Sequence, residues 1–148
     1  MKNSNLFLVF ALLTLVTFSC QKDDDEVLEK VICWVEVDGV FEQLEIDKPP
    51  VYINGSSEGL TLAIIENINY PAEAREGGIE GKVEVEYQIT ETGEVDIIEI
   101  IKDIGGGCGD ATKEALKLAT TGISFYPAEL NGEKVRVKKE ESITFKLE

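Results

Sequence analysis

Between Lys82 and Thr90 apolar and polar residues alternate without a break. Val83, Val85, Tyr87 and Ile89 fall on one side; Glu84, Glu86 and Gln88 fall on the other. This period of two predicts an antiparallel strand with one face buried and one in water. Thr92-Gly93 turns the chain, and Val95–Ile101 returns as a more apolar, more buried strand. Upstream, Val31–Val37 and Val40–Ile46 flank Asp38-Gly39, a dipeptide that suits a tight hairpin. Asp47-Lys48-Pro49-Pro50 then breaks the pattern and marks the main internal boundary. After a short extended stretch, Val51–Ile53, and Asn54-Gly55, the period changes. Leu60, Ile64 and Ile68 recur every four residues on one helical face, with Ser56 or Ser57 placed to cap the helix. Pro71 suits the first position of a second short helix, Ala72–Glu76, which Gly77-Gly78 closes.

Beyond the Gly105-Gly106-Gly107-Cys108-Gly109 turn, Asp110 is placed to cap a helix over Ala111–Thr121. Its expected inward face is Ala111, Ala115, Leu118 and Ala119, and Gly122 ends it. Ile123–Leu130, the turn Asn131-Gly132 and Lys134–Leu147 read as a closing hairpin, with Ile143, Phe145 and Leu147 alternating inward. Pro127 confines the first arm to an edge or a loop. The order of elements predicts an α+β fold, with helices over one face of a small antiparallel sheet. The organisation expected is a leader over 1–19, an acidic tether over 20–30, a β-hairpin over 31–48 and a domain over 51–148.

The leader and tether follow from the first thirty residues. Leu6–Val16 (LFLVFALLTLV) is apolar but falls far short of the about 20 residues that a membrane helix needs. It fits the apolar region of a signal peptide. Ser19-Cys20 directly after it resembles the lipobox of bacterial lipoprotein precursors, although Thr17 stands where a leucine is usual. That resemblance implies cleavage before Cys20, lipidation of Cys20 and a fold held outside the cytoplasm. An ordinary secretory signal with an incidental cysteine is the plainer alternative. Gln21-Lys22-Asp23-Asp24-Asp25-Glu26 reads as a solvated tether. It also resembles the surface-export signals of lipoproteins in some Gram-negative lineages.

Charge and composition narrow the function. Fourteen basic residues (Lys+Arg 14) against 29 acidic ones give a net charge of −15, which repels phosphate backbones and argues against nucleic acid. There is no histidine, which removes His-based nucleophile pairs, His general bases and His-containing zinc sites. The outward glutamates of Lys82–Thr90 have no evident catalytic partner, and the Gly-rich turn lacks both the Lys-Ser/Thr ending of a P-loop and GxGxxG spacing. No enzyme, metal or cofactor is expected. Cys33 and Cys108 remain once Cys20 is assigned to lipid. They read either as a disulfide formed outside the cytoplasm or as two small buried thiols. Trp34, the single tryptophan, suits a ligand platform or, more commonly, a core contact.

Scattered features of the last hundred residues form one pattern. These are Tyr70-Pro71, Ala74, Gly78-Ile79-x-Gly81, the strand Val83–Ile89 and Gly93-Glu94-Val95. The Gly-rich turn with Cys108, Ala115-Leu116, Phe125-x-Pro127-Ala128, Asn131-Gly132-x-x-Val135 and Ile143-x-Phe145-x-Leu147 follow. In order and spacing they resemble the TonB C-terminal domain family. The resemblance implies a three-stranded antiparallel sheet with two helices on one side. It also implies a manner of binding: the TonB box, a short peptide of an outer-membrane transporter, adds as a strand to the open edge of the last strand, here about Arg136–Leu147. On that basis Val137, Lys139, Glu141, Ile143 and Phe145 are the candidate partner-binding residues. Full transducers carry an N-terminal membrane helix and a long Pro-rich segment before this domain; this sequence shows neither pattern. Phe125 stands where the family often has tryptophan.

The expected function is that of a lipid-anchored protein binding an extended peptide or protein partner, linked to TonB-dependent transport across the outer membrane. The expected location is the outer membrane of a Gram-negative bacterium, on its periplasmic or surface side. The alternative is an interaction module of a surface complex, with Val31–Ile46 packed on the domain or paired with its edge. Lys138, Lys139, Glu140 and Glu141 on the proposed edge either blunt it against aggregation or select the partner.

Overall fold

In the computed structural model, which describes residues 31–122 and 124–147, the alternating segment forms the strand that organises the molecule. In β4 (Gly81–Ile89) the side chains of Val83, Val85, Tyr87 and Ile89 are all buried, while the polar residues between them face out. β5 (Val95–Lys102) pairs with it on one side and β9 (Val137–Phe145) on the other, both antiparallel. The register with β9 runs unbroken from Gly81↔Phe145 to Ile89↔Val137.

The N-terminal hairpin, β1 (Val31–Val37) and β2 (Val40–Ile46), turns at Asp38 and Gly39, both with positive φ (51° and 82°). Both central residues of a type I′ turn need that conformation. The hairpin joins the same sheet, so the strand order is β2-β1-β9-β4-β5. The sheet thus has five strands, where about three core strands were expected. Two further ribbons are β3 (Val51–Tyr52) with β6 (Phe125–Tyr126), which meets the β4–β5 turn at Gly93, and β7 (Ala128–Leu130) with β8 (Glu133–Val135), which lies beside β2. The predicted closing hairpin is therefore divided: its first arm splits around Pro127, and the Asn131-Gly132 turn joins β7 to β8 rather than to β9.

α1 (Ser57–Asn67) and α3 (Cys108–Ala119) pack against each other and against one face of the sheet; α2 (Ala72–Glu76) buries Ala74. α3 begins three residues earlier than its periodicity predicts, and the stripe it buries differs from the expected one. Cys108, Thr112, Ala115 and Leu116 are buried, whereas Leu118, expected inward, is 60% exposed. Thr112 tolerates burial because its hydroxyl donates to the Cys108 carbonyl at 2.9 Å. Nor is Asp110 the cap: Asp103 Oδ1 accepts from the backbone N–H groups of Ile104 (2.7 Å), Gly105 (3.1 Å) and Gly109 (3.0 Å). One carboxylate thus satisfies the turn and an otherwise unpaired donor in the first turn of α3. Cys20 and the leader and tether assignments lie outside the described residues.

Candidate partner-binding edge

β9 is flanked differently along its two halves. On one side β4 covers its whole length. On the other, β1 pairs only at Val35↔Val137 and Trp34↔Lys138, and the Glu36 N–H donates to the Arg136 carbonyl at 3.0 Å. In a strand both backbone groups of one residue point to the same side, and successive residues alternate. Because Arg136 points toward β1, so do Lys138, Glu140, Ser142 and Thr144. Beyond Lys138 no strand among the described residues meets that side. The backbone N–H and C=O groups of Glu140, Ser142 and Thr144 therefore form an open edge within an otherwise internal strand.

This modifies the expectation of a fully open last strand, because the hairpin already occupies its beginning. It also alters the role of the five candidate residues. Val137, Lys139, Glu141, Ile143 and Phe145 share the face turned toward the helices; Val137, Ile143 and Phe145 are buried in the core, and only Lys139 and Glu141 are half-buried. Their apolar members hold the strand in place rather than offering a contact surface. α1 lies over this half. Thr61 Oγ1 donates to Glu141 Oε1 at 2.8 Å, and past the helix end Tyr70 stacks edge-on against Phe145 with ring centroids 5.3 Å apart. On the neighbouring strand, burial pushes the Tyr87 hydroxyl far up, and the Glu141 charge adds to this.

The junction where β1 leaves β9 is clamped by residues that periodicity alone does not single out. Arg136 reaches Glu36 (3.2 Å) on β1, Gln88 (3.3 Å) on β4 and Asp96 on β5. Lys138 pairs with Glu86 at 2.8 Å, and its ammonium lies 5.3 Å from the centre of the Trp34 ring and 5.4 Å from that of Phe41. Trp34 is thus half-exposed on the sheet's outer face, serving as a lid on a lysine. The signal present in the sequence was a lone tryptophan on a strand that also buries Val35, but nothing there names the lysine it covers.

Asp96 gives this clamp a pH dependence. Its partial burial opposes ionisation, but hydrogen bonds from Arg136 and from the Ile97 N–H, with the Arg136 charge, outweigh it and hold the carboxyl below its usual 3.8. A carboxyl depressed in the native state contributes stability that is complete above its unfolded pKa and is lost as pH falls through the lower native value. The wild-type chain is therefore expected to lose more stability than Asp96→Asn as pH drops from about 4 downward. Urea midpoints measured against pH for both proteins check this; parallel curves would contradict it.

Among the described residues Cys33 and Cys108 are free thiols. Cys33 sits on β1 beside Lys139, whereas Cys108 opens α3 close to Tyr70, at the Phe145 end of β9. The intervening stretch of strand is on the order of 20 Å long, far beyond the about 7 Å Cα separation that a disulfide spans. Burial pushes both thiols up; Lys139 partly offsets this at Cys33, and the Asp103 carboxylate adds to it at Cys108. Cys108 is buried, whereas Cys33 is only half-buried. Among the described residues no group of three or more His, Cys, Asp or Glu side chains is placed to hold a metal. No helix among them is long and apolar enough to cross a membrane.

An antiparallel sheet backed by helices on one face defines an α+β domain, here with one internal strand left half unpaired among the described residues. The family model of the Gram-negative bacterial TonB protein C-terminal matches residues 66–147. The chain belongs to that family, which points to the bacterial envelope. It is similar to a solution structure of the Helicobacter pylori TonB C-terminal domain, with 27% identity over 61% of this chain and 91% of that one and a TM-score of 0.46. A longer version of that domain matches at 28% identity over 60% and 79% of the two chains, with a TM-score of 0.44. The Pseudomonas aeruginosa TonB C-terminal domain matches at 28% identity over 55% and 79%, with a TM-score of 0.39. No curated protein matches the chain. The hairpin β1–β2 and most of α1 precede the matched residues.

Proposed function

We propose that this chain is a binding module rather than an enzyme. In this reading it is anchored to the outer membrane through lipidated Cys20 and captures an extended segment of a protein partner by strand addition to the open half of β9. The observation that carries this is the row of unpaired backbone groups at Glu140, Ser142 and Thr144, next to a stretch that a strand of the chain itself already pairs. Membership of the TonB C-terminal family makes the TonB-box region of an outer-membrane transporter the natural partner. Strand addition takes affinity from main-chain bonds and selectivity from alternate side chains.

Titration of the full chain with peptides from transporter N-terminal segments tests the reading. The amides of Glu140, Ser142 and Thr144 are expected to become protected from hydrogen exchange, while those bonded to β4 stay as they were. Absence of protection at millimolar peptide overturns it. A second reading, a module of a surface complex in which the hairpin masks the edge, draws support from the Trp34↔Lys138 and Val35↔Val137 pairs. Digestion by protease added to intact cells would favour that reading.

A further inference from the structure

We propose that Glu141 selects a basic side chain in the strand that docks on β9; this rests on the strand-addition reading above. Each backbone bond contributes little net, while association carries a larger fixed cost in lost freedom of motion. The few bonds that Glu140, Ser142 and Thr144 offer hold a partner weakly, so side chains beside the edge must supply the rest. On the helix-facing side of the open half, Glu141 is the charged residue nearest the middle of that edge.

Its setting is incomplete. The carboxylate is half-buried beneath α1, its one hydrogen bond comes from the Thr61 hydroxyl, and among the described residues it makes no ion pair. Directly across on β4 is Val85, which is buried and apolar, with Val83 and Tyr87 on the diagonals. A carboxylate has about four acceptor positions, and the Thr61 hydroxyl takes one of those on Glu141. A docking strand takes the open side.

The backbone of Glu141 points to β4, so the residue docking opposite it forms a non-hydrogen-bonded pair in an antiparallel addition, with Cα atoms only about 4.5 Å apart. Its side chain lies on the same face as the carboxylate. A neutral residue there strips water from the carboxylate without replacing its bonds, and an acidic one adds repulsion; both are unfavourable. A lysine or arginine restores the partner. Ile65, one helical turn beyond Thr61 on the same side of α1 and 52% exposed, offers apolar surface for the aliphatic stem of that cation. The net charge of −15 draws a basic segment toward the site.

The test uses the full chain and two synthetic peptides of alternating threonine and valine. In one a central valine is replaced by lysine, in the other by glutamate. Binding is followed by the amide resonances of Ser142 and Thr144. The wild type is expected to bind the lysine peptide at least about tenfold more tightly, a difference of about 1.4 kcal/mol. Glu141→Gln, which keeps an acceptor for Thr61, is expected to bring the two within about twofold, and Glu141→Lys to reverse the order. Glu99→Gln, exposed on β5 and away from the edge, is expected to leave the preference unchanged. If both peptides shift the Ser142 and Thr144 amides with equal affinity, the selection by Glu141 is overturned while strand addition stands. Loss of the preference in Glu99→Gln overturns the selection by Glu141 in the same way. If neither peptide shifts those amides, strand addition falls, and the selection with it.

Discussion

Replacing Gly106 with alanine is expected to destabilise the fold by on the order of 3 kcal/mol. Two effects combine. Gly106 has φ +60°, in the left-handed region, where an alanine loses about 1 kcal/mol. A Cβ there would also lie 2.9 Å from Ala74 Cα, Ala74 Cβ and Ile79 Cδ1. Ala74 is fully buried in α2, so its backbone has no room to retreat, and overpacking of this kind typically costs 1–3 kcal/mol, about as much again or more. Gly105 is the internal control. Its φ is +85°, yet nothing lies within 4 Å of a Cβ built there, so Gly105→Ala should lose only the conformational part, about 1 kcal/mol. Denaturant unfolding of both variants separates the two effects. Equal losses would mean that the Gly106 contact is relieved by movement of the turn.

That turn also shows what the sequence conveys and what it withholds. A glycine run before a helix was legible as a connection. Its reason was not, because the obstacle at Gly106 is a helix some thirty residues upstream in the chain. The same division holds across the sheet. β4 and both arms of the hairpin were legible because alternation and an Asp-Gly turn are local signals; the hairpin strands appear with the bounds that the pattern predicts. Thr112 escaped notice because a threonine reads as polar until a carbonyl one turn away accepts its proton. The attachment of β1 to β9 was open to proposal but not to derivation, since nothing in either strand's pattern specifies a neighbour about a hundred residues away.

The candidate site was legible by strand but not by atom. Alternation correctly turns Ile143 and Phe145 inward. An edge, however, is defined by which backbone groups lack a partner, and in β9 these belong to the even-numbered residues between the inward-facing ones. Both half-buried charges, Lys139 and Glu141, matter to the edge only because α1 and the departure of β1 leave them beside it. The family match covers all of β9; the partial pairing of β1 leaves the second half of that strand open among the described residues.

A proline at position 142 is expected to abolish partner capture while leaving the domain folded. Ser142 turns its N–H away from β4, as does every second residue counted from Arg136. Ser142→Pro therefore removes one outward donor and places a ring on the edge, but breaks no bond to β4. Proline is tolerated at such edge positions, and the restriction that it imposes on Glu141 favours the extended conformation already present. Stability should change by no more than about 1 kcal/mol, whereas affinity for a docking strand should fall at least about tenfold through the lost bond and the steric block. Ile143→Pro is the contrasting variant. Its N–H points toward β4, so the same substitution one residue along removes an internal ladder bond and should destabilise the fold by about 3 kcal/mol or more. Thermal unfolding and peptide titration of the two variants separate edge from ladder. If Ser142→Pro bound its peptide as the wild type does, the docking surface would have to lie elsewhere on the sheet, at β2 or β5, the two strands of that sheet with no neighbour on their outer side among the described residues.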